Sequence, residues 1–211
     1  MFDARIRPLI DPPLNAAGHW LAKRDITADF VTISGFVLGM AGALAIAYGD
    51  HWFGLSLIVI SRLADGLDGA IARASKKTDL GGFLDVSLDF IFYGAVPLAF
   101  AINDPQQNAL PAAILLMSFF ANGTTFLTFA IMAERRSLDT TAQGEKSLYY
   151  MSGLVEGFET IIALIAFCLF PFYFPQIAYA YAALCYASAT GRTLFAWKIL
   201  GKNPKQTCPR D

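Results

Sequence analysis

Residues 65–89 read DGLDGAIARASKKTDLGGFLDVSLD, and in them Asp65, Asp68, Asp85 and Asp89 stand inside sequence that is apolar on both sides. An Asp at the centre of a membrane-spanning helix costs roughly 2.5 to 3.5 kcal/mol on an insertion scale, while each Leu, Ile, Phe or Val returns only about 0.3 to 0.6. Four left bare would cost on the order of 10 kcal/mol, so something positive has to sit among them. Asp65 and Asp68 are three residues apart and Asp85 and Asp89 four apart, which puts each pair on one face of its own helix. Two such helices facing each other bring the carboxylates into one small volume. That is a site for hard divalent cations, which take oxygen ligands and bridge carboxylates to substrate phosphates. Gly66 and Gly69 remove side chains beside the acids, and Gly69, Ala72 and Gly81 let a helix or a ligand come close.

Outward from this stretch the chain reads as a membrane protein. Hydrophobic residues make up 55% of its 211 positions and charged residues only 16%, with a mean hydropathy of +0.48. The net charge of -1 decides little, since the charges are unevenly placed, and nothing calls for a nucleic-acid partner. Cys168, Cys185 and Cys208 show neither paired nor metal-ligand spacing and read as reduced thiols. No cleavable leader is expected, because Met1 to Pro13 carries Asp3, Arg5, Arg7, Asp11 and three prolines.

Residues 30–49 hold no charge over twenty positions, enough for one crossing at about 1.5 Å per residue. Further spans are predicted over 53–73, over 81–101 with Pro97 as a place for a kink, within 105–133, from about 147 to 171, and over 176–200. Before them, a segment broken by Pro8, Pro12 and Pro13 leads into a short amphipathic surface helix in which Leu14, Ala17 and Leu21 recur at helical spacing and Trp20 sits at headgroup depth. None of the sixteen Lys and Arg falls in the loops after the first, third or fifth span. By the positive-inside rule both termini are then cytoplasmic, and the aspartates lie in the cytoplasmic half of the second and third spans. The expected fold is all-α: a polytopic bundle of six transmembrane helices over 25–201, after a cytoplasmic amphipathic segment 1–24 and before a basic cytoplasmic tail 202–211.

The outer halves of the acid-bearing spans, 53–60 and 92–100, offer almost no polar residues. A transport path would continue across; a site that stops half way suits chemistry at the membrane face. A metal cluster clamps phosphoryl transfer by neutralising phosphate oxygens, and a carboxylate left partly free takes the proton of the attacking hydroxyl. The alternative is a non-enzymatic divalent-cation carrier using the same acids.

The run also fills every fixed position of the pattern D-x2-D-G-x2-A-R, a variable gap, then G-x3-D-x3-D. In this it resembles the signature of the CDP-alcohol phosphotransferase (CDP-alcohol phosphatidyltransferase) family, of the bacterial inner-membrane type. The resemblance implies transfer of a phosphatidyl or related group from a CDP-alcohol, such as CDP-diacylglycerol, to an acceptor hydroxyl with release of CMP in phospholipid synthesis. It implies Mg2+ or Mn2+, two ions, held by Asp65, Asp68, Asp85 and Asp89, with Asp89 also the general base. Gly69, Ala72, Arg73 and Gly81 would then lie near the nucleotide. Thr32 joins them on a weaker match, since this chain has Asp29-Phe30-Val31-Thr32 where the family has N-x2-T. A homodimer and lateral entry of lipid are implied as well. Outside the signature, Glu156 and Glu159 are candidates for a hydroxyl-bearing acceptor, and Lys146 and Arg135 for a phosphate on it. These residues leave the acceptor open, Glu favouring hydroxyls or an amine and Lys and Arg a phosphate; a small polar acceptor, a polyol or a polyol phosphate, is expected. Asn122, Thr124, Thr125 and Thr128 read as helix-packing residues.

Overall fold

Thr27, Asp50, Thr78 and Asp104 each stand one residue before a helix and accept a hydrogen bond from the backbone N–H three positions on, from Phe30, Phe53, Gly81 and Gln107 at 3.0–3.3 Å. These caps satisfy donors that a helix start leaves without partners. The computed structural model describes residues 3–136, 155 and 157–201, with side chains from residue 11 onward. Their helices are α1 (Asp3–Ala22), α2 (Ala28–Ala47), α3 (His51–Ala74), α4 (Asp79–Asn103), α5 (Pro105–Arg135), α6 (Gly157–Leu169), a 3-10 turn (Pro171–Tyr173) and α7 (Phe174–Leu200). There is no strand among the described residues.

The all-α expectation stands, and a helix occupies the described part of each expected span. On length and hydropathy α2, α4 and α5 are able to cross a membrane, and a fourth crossing is added if α6 and the segment from Pro171, bent by 115° at their break, count as one span. Helix α3 carries Arg62, Asp65, Asp68 and Arg73 in its second half. The fifth predicted span begins at residues outside those described.

One expectation is corrected. Pro8, Pro12 and Pro13 do not break the opening segment, since α1 is helical from Asp3 and runs through all three. The fixed φ of proline is itself helical, so what each one removes is a backbone donor. Helix α4 likewise continues through Pro97.

Helix α2 packs on α3 and α4, α5 on α4 and α7, α6 on α3 and α7, and α1 on α3. Two close approaches depend on glycine. A Cβ at Gly54 would lie 2.6 Å from Ile46 Cγ1 and 2.9 Å from the carbonyl of Gly42, and one at Gly18 would lie 2.8 Å from the backbone of Ala70. Overpacking of this kind costs about 1–3 kcal/mol. Gly54→Leu is therefore expected to lower the unfolding midpoint in detergent micelles, with α2 pushed from α3.

The core fills the end of the bundle away from the acids. Ile58, Phe92, Val96 and Phe100 are fully buried. Phe100 stacks on Phe174 with ring centroids 4.5 Å apart, and Phe167 meets Phe174 edge-on at 5.0 Å. Outside, Phe30, Val37 and Leu44 recur every seven residues on α2 and are exposed, as are Phe120, Leu127 and Ile131 on α5. Apolar surface of this extent suits lipid.

Candidate active site

The antiparallel turn from α3 to α4 through residues 75–78 sets the end of one helix beside the start of the next. Asp65 and Asp68 project from α3 and Asp85 from α4, and one carboxylate oxygen from each lies within 4.8 Å of the others. Like charges at that separation repel by about 3.5 kcal/mol per pair at an effective dielectric constant of about 20. Thr32, from α2, donates its hydroxyl to Asp68 Oδ2 at 2.6 Å. Three carboxylates grouped so closely, with no nitrogen or sulfur donor in the group, match a hard divalent cation by donor chemistry.

Asp89 lies outside that trio. Its Oδ1 accepts from Arg62 Nη1 at 2.7 Å, and Tyr93 donates to its Oδ2 at 3.3 Å. Arg62 is buried, reaches Asp65 Oδ1 at 3.6 Å, and rests 4.3 Å from the centre of the Phe92 ring. It is the positive group that the cost of burying the acids demanded.

Two cavities flank the trio. The first, of about 300 Å³, is lined by all five residues expected near a nucleotide, Thr32, Gly69, Ala72, Arg73 and Gly81, and also by Lys76 and Lys77. Arg73 is held from α1, where Asn15 Oδ1 accepts from its Nη2 at 2.9 Å and its Nε at 3.3 Å. Helix α1 therefore forms part of the support of this wall. The second cavity, of about 570 Å³, carries Asp85, Asp89, Tyr93, Asn122 and Arg192 among aromatic side chains of α4 and α5. Arg192 donates through Nη1 to the Asn122 side chain at 3.0 Å and to Thr125 at 3.2 Å. Asn122 and Thr125 thus do more than pack helices: they fix a guanidinium in the cavity that Asp85 and Asp89 also line.

Of the residues expected at an acceptor, Glu156 and Lys146 lie outside the described residues. Glu159 is in the first turn of α6 and Arg135 is exposed at the end of α5; neither lines the two cavities. Sequence reasoning gave Arg192 only as a partner for Glu156 or Glu159 and assigned no role to Asn15 or Tyr93. For Arg192 a signal was present, because an ionisable residue inside an apolar helix is by default a candidate for function. Asn15 and Tyr93 carried none. Cys168 and Cys185 are buried free thiols, as expected, and Cys208 is outside the described residues.

Comparison with known proteins agrees with this geometry. The inner membrane protein YnjF of Escherichia coli is 42% identical over 98% of this chain and 100% of its own length. An archaetidylinositol phosphate synthase of Methanothermobacter thermautotrophicus is 28% identical over 92% of each chain. The fold is shared with the crystal structure of the Mycobacterium tuberculosis phosphatidylinositol phosphate synthase with CDP-DAG bound, at a TM-score of 0.63 and 22% identity, over 94% of this chain and 98% of that one. The family model for CDP-alcohol phosphatidyltransferase matches residues 25–193, and the chain belongs to that family of membrane transferases.

Proposed function

We propose that this chain transfers the phosphatidyl group of CDP-diacylglycerol to the hydroxyl of a small polar acceptor, a polyol or polyol phosphate, and releases CMP. The observation that carries this reading is that two cavities meet at one acid: Asp85 lines both the space beside Arg73 and the space beside Arg192. A transferase needs its two substrates on either side of the phosphorus that moves, held for in-line attack. Arg73, Lys76 and Lys77 suit the diphosphate of the donor. Asn122 suits acceptor hydroxyls, and the Arg192 guanidinium suits a phosphate on the acceptor. The archaeal relative and the mycobacterial structure, both inositol phosphate lipid synthases, support a polyol phosphate.

Asp65, Asp68 and Asp85 would hold the divalent cation, Mg2+ or Mn2+, with Asp89 a further ligand by the family signature, and the bound ion would neutralise charge on the diphosphate oxygens. Asp89 takes the proton of the acceptor hydroxyl while the new O–P bond forms at the β-phosphorus and the bond to the CMP oxygen breaks. Two ions per chain follow from the family signature and are counted by titrating Mn2+. The buried Ile58, Phe92, Val96 and Phe100 fill the bundle beyond the acids, which favours a reaction at one face over passage of an ion. From the distribution of Lys and Arg we place six crossings, α2 to α7, as a catalytic domain over 25–201, with the acids and both termini on the cytoplasmic side of a bacterial inner membrane. The resemblance adds a homodimer.

The test is CMP release by purified protein from CDP-diacylglycerol with Mg2+ or Mn2+ and a panel of glycerol 3-phosphate, inositol, inositol phosphate, serine and phosphatidylglycerol. Release that depends on a polyol or its phosphate and stops with chelator is expected. No release with any acceptor, from folded protein that binds Mn2+, overturns the reading and favours the carrier. A second prediction concerns the donor side. An exposed hydrogen bond contributes about 0.5 to 1.5 kcal/mol, so Asn15→Ala is expected to raise the KM for CDP-diacylglycerol by roughly 2- to 10-fold. Its kcat should be unchanged, as read from initial rates at varied donor.

A further inference from the structure

We infer that Arg62 is the positioning residue of Asp89, holding one carboxylate oxygen so that the other faces the acceptor cavity. This rests on the reading of Asp89 as the base. Residue 62 is no part of the D-x2-D-G-x2-A-R pattern, which begins three positions later, so nothing in the signature assigns it a task. Its geometry does. Nη1 bonds Asp89 Oδ1 at 2.7 Å and reaches Asp65 at 3.6 Å, Nη2 donates to Ser61 Oγ at 3.2 Å, and the guanidinium lies over Phe92. The fork is held from both α3 and α4, which a compact ammonium on a flexible stem would not reproduce.

The consequence is a division among the four acids. Asp65, Asp68 and Asp85 converge on one another, while Asp89, which shares a cleft with Asp65 and Asp85, takes the shorter bond from Arg62 and lines the 570 Å³ cavity with Asp85 and Tyr93. With Arg62 gone, Asp89 loses its strongest partner, and the other acids lose a positive neighbour that opposes cation binding. Catalysis should therefore fall while cation binding holds or strengthens. A counter-charge that merely stabilised the acid cluster would leave kcat close to wild type.

The experiment compares wild type, Arg62→Met, Arg62→Lys, Asp89→Asn and the double variant Arg62→Met with Asp89→Asn. Misplacing a reacting group by about 1 Å costs about 10²-fold in rate, and that loss in kcat is expected for Arg62→Met, with the donor KM unchanged. Mn2+ binding without substrates, read by electron paramagnetic resonance, should be as tight as wild type or tighter, which also shows that the variant is folded. Arg62→Lys should recover part of kcat. The double variant should be no slower than Asp89→Asn alone, because a residue acting only through Asp89 has nothing left to position. Wild-type kcat in Arg62→Met, loss of Mn2+ binding in it, or losses that multiply in the double variant would each overturn the inference while leaving the transferase reading intact. Absence of CMP release from wild type would instead remove the reading beneath it.

Discussion

Asp68→Asn, purified in detergent and supplied with Mn2+, CDP-diacylglycerol and acceptor, is expected to release no measurable CMP and to bind Mn2+ far more weakly than wild type. Asp68 is the most buried of the convergent acids, at 5% exposure, and the one that Thr32 orients at 2.6 Å. Removing an outer partner of a metal ligand already costs roughly 10–100-fold in metal affinity or activity, and Asn removes a ligand's charge outright. Asn keeps the shape and still accepts from Thr32, so the helices stay packed and the loss falls on the cation. Titration of the variant with Mn2+, followed by electron paramagnetic resonance, separates this from unfolding. Wild-type Mn2+ affinity in Asp68→Asn would show that the trio is not where the cation sits.

Asp89→Asn is expected to behave differently. General-base catalysis is worth about 10²–10⁴-fold, and kcat should fall by that amount. The donor KM should stay close to wild type, since Asp89 is absent from the lining of the donor cavity, and Mn2+ affinity should fall less than in Asp68→Asn, since Asp89 is outside the convergent trio although it shares a cleft with Asp65 and Asp85. The measurement is initial rate at saturating acceptor beside donor binding in the presence of the metal. Equal losses in rate and in donor binding would assign Asp89 to the metal ligands instead of the base. The two variants together test whether the four acids of the signature form one set or a trio and a separate residue.

The helices themselves were readable from residues close together in the chain. The predicted spans 53–73 and 81–101 lie within α3 and α4, because capping by Asp50 and Thr78, apolar runs and the acid spacing are all local. That these acids belong together was legible for the same reason: i,i+3 and i,i+4 spacing fixes a face once a helix is granted. The prolines of α1 misled, since a residue that removes a donor marks a break only where the helix cannot do without that bond. Hydropathy measures the average of a window, so α3, with its charges, is not among the helices long and apolar enough to cross a membrane, although it packs on α1, α2 and α6.

By itself the sequence determined an all-helical membrane chain, the places of α2, α3, α4, α5 and α7 and the residues of the family signature, all through local periodicity and fixed spacing. Only the tertiary structure decided which partners those residues take. Arg62 meets Asp89 across 27 positions, Asn15 meets Arg73 across 58, and Arg192 meets Asn122 across 70. Each of these bonds depends on which helices pack together and at what depth. That is set by the summed burial of many apolar side chains such as Phe100, Phe167 and Phe174, and no short stretch of the chain contains it.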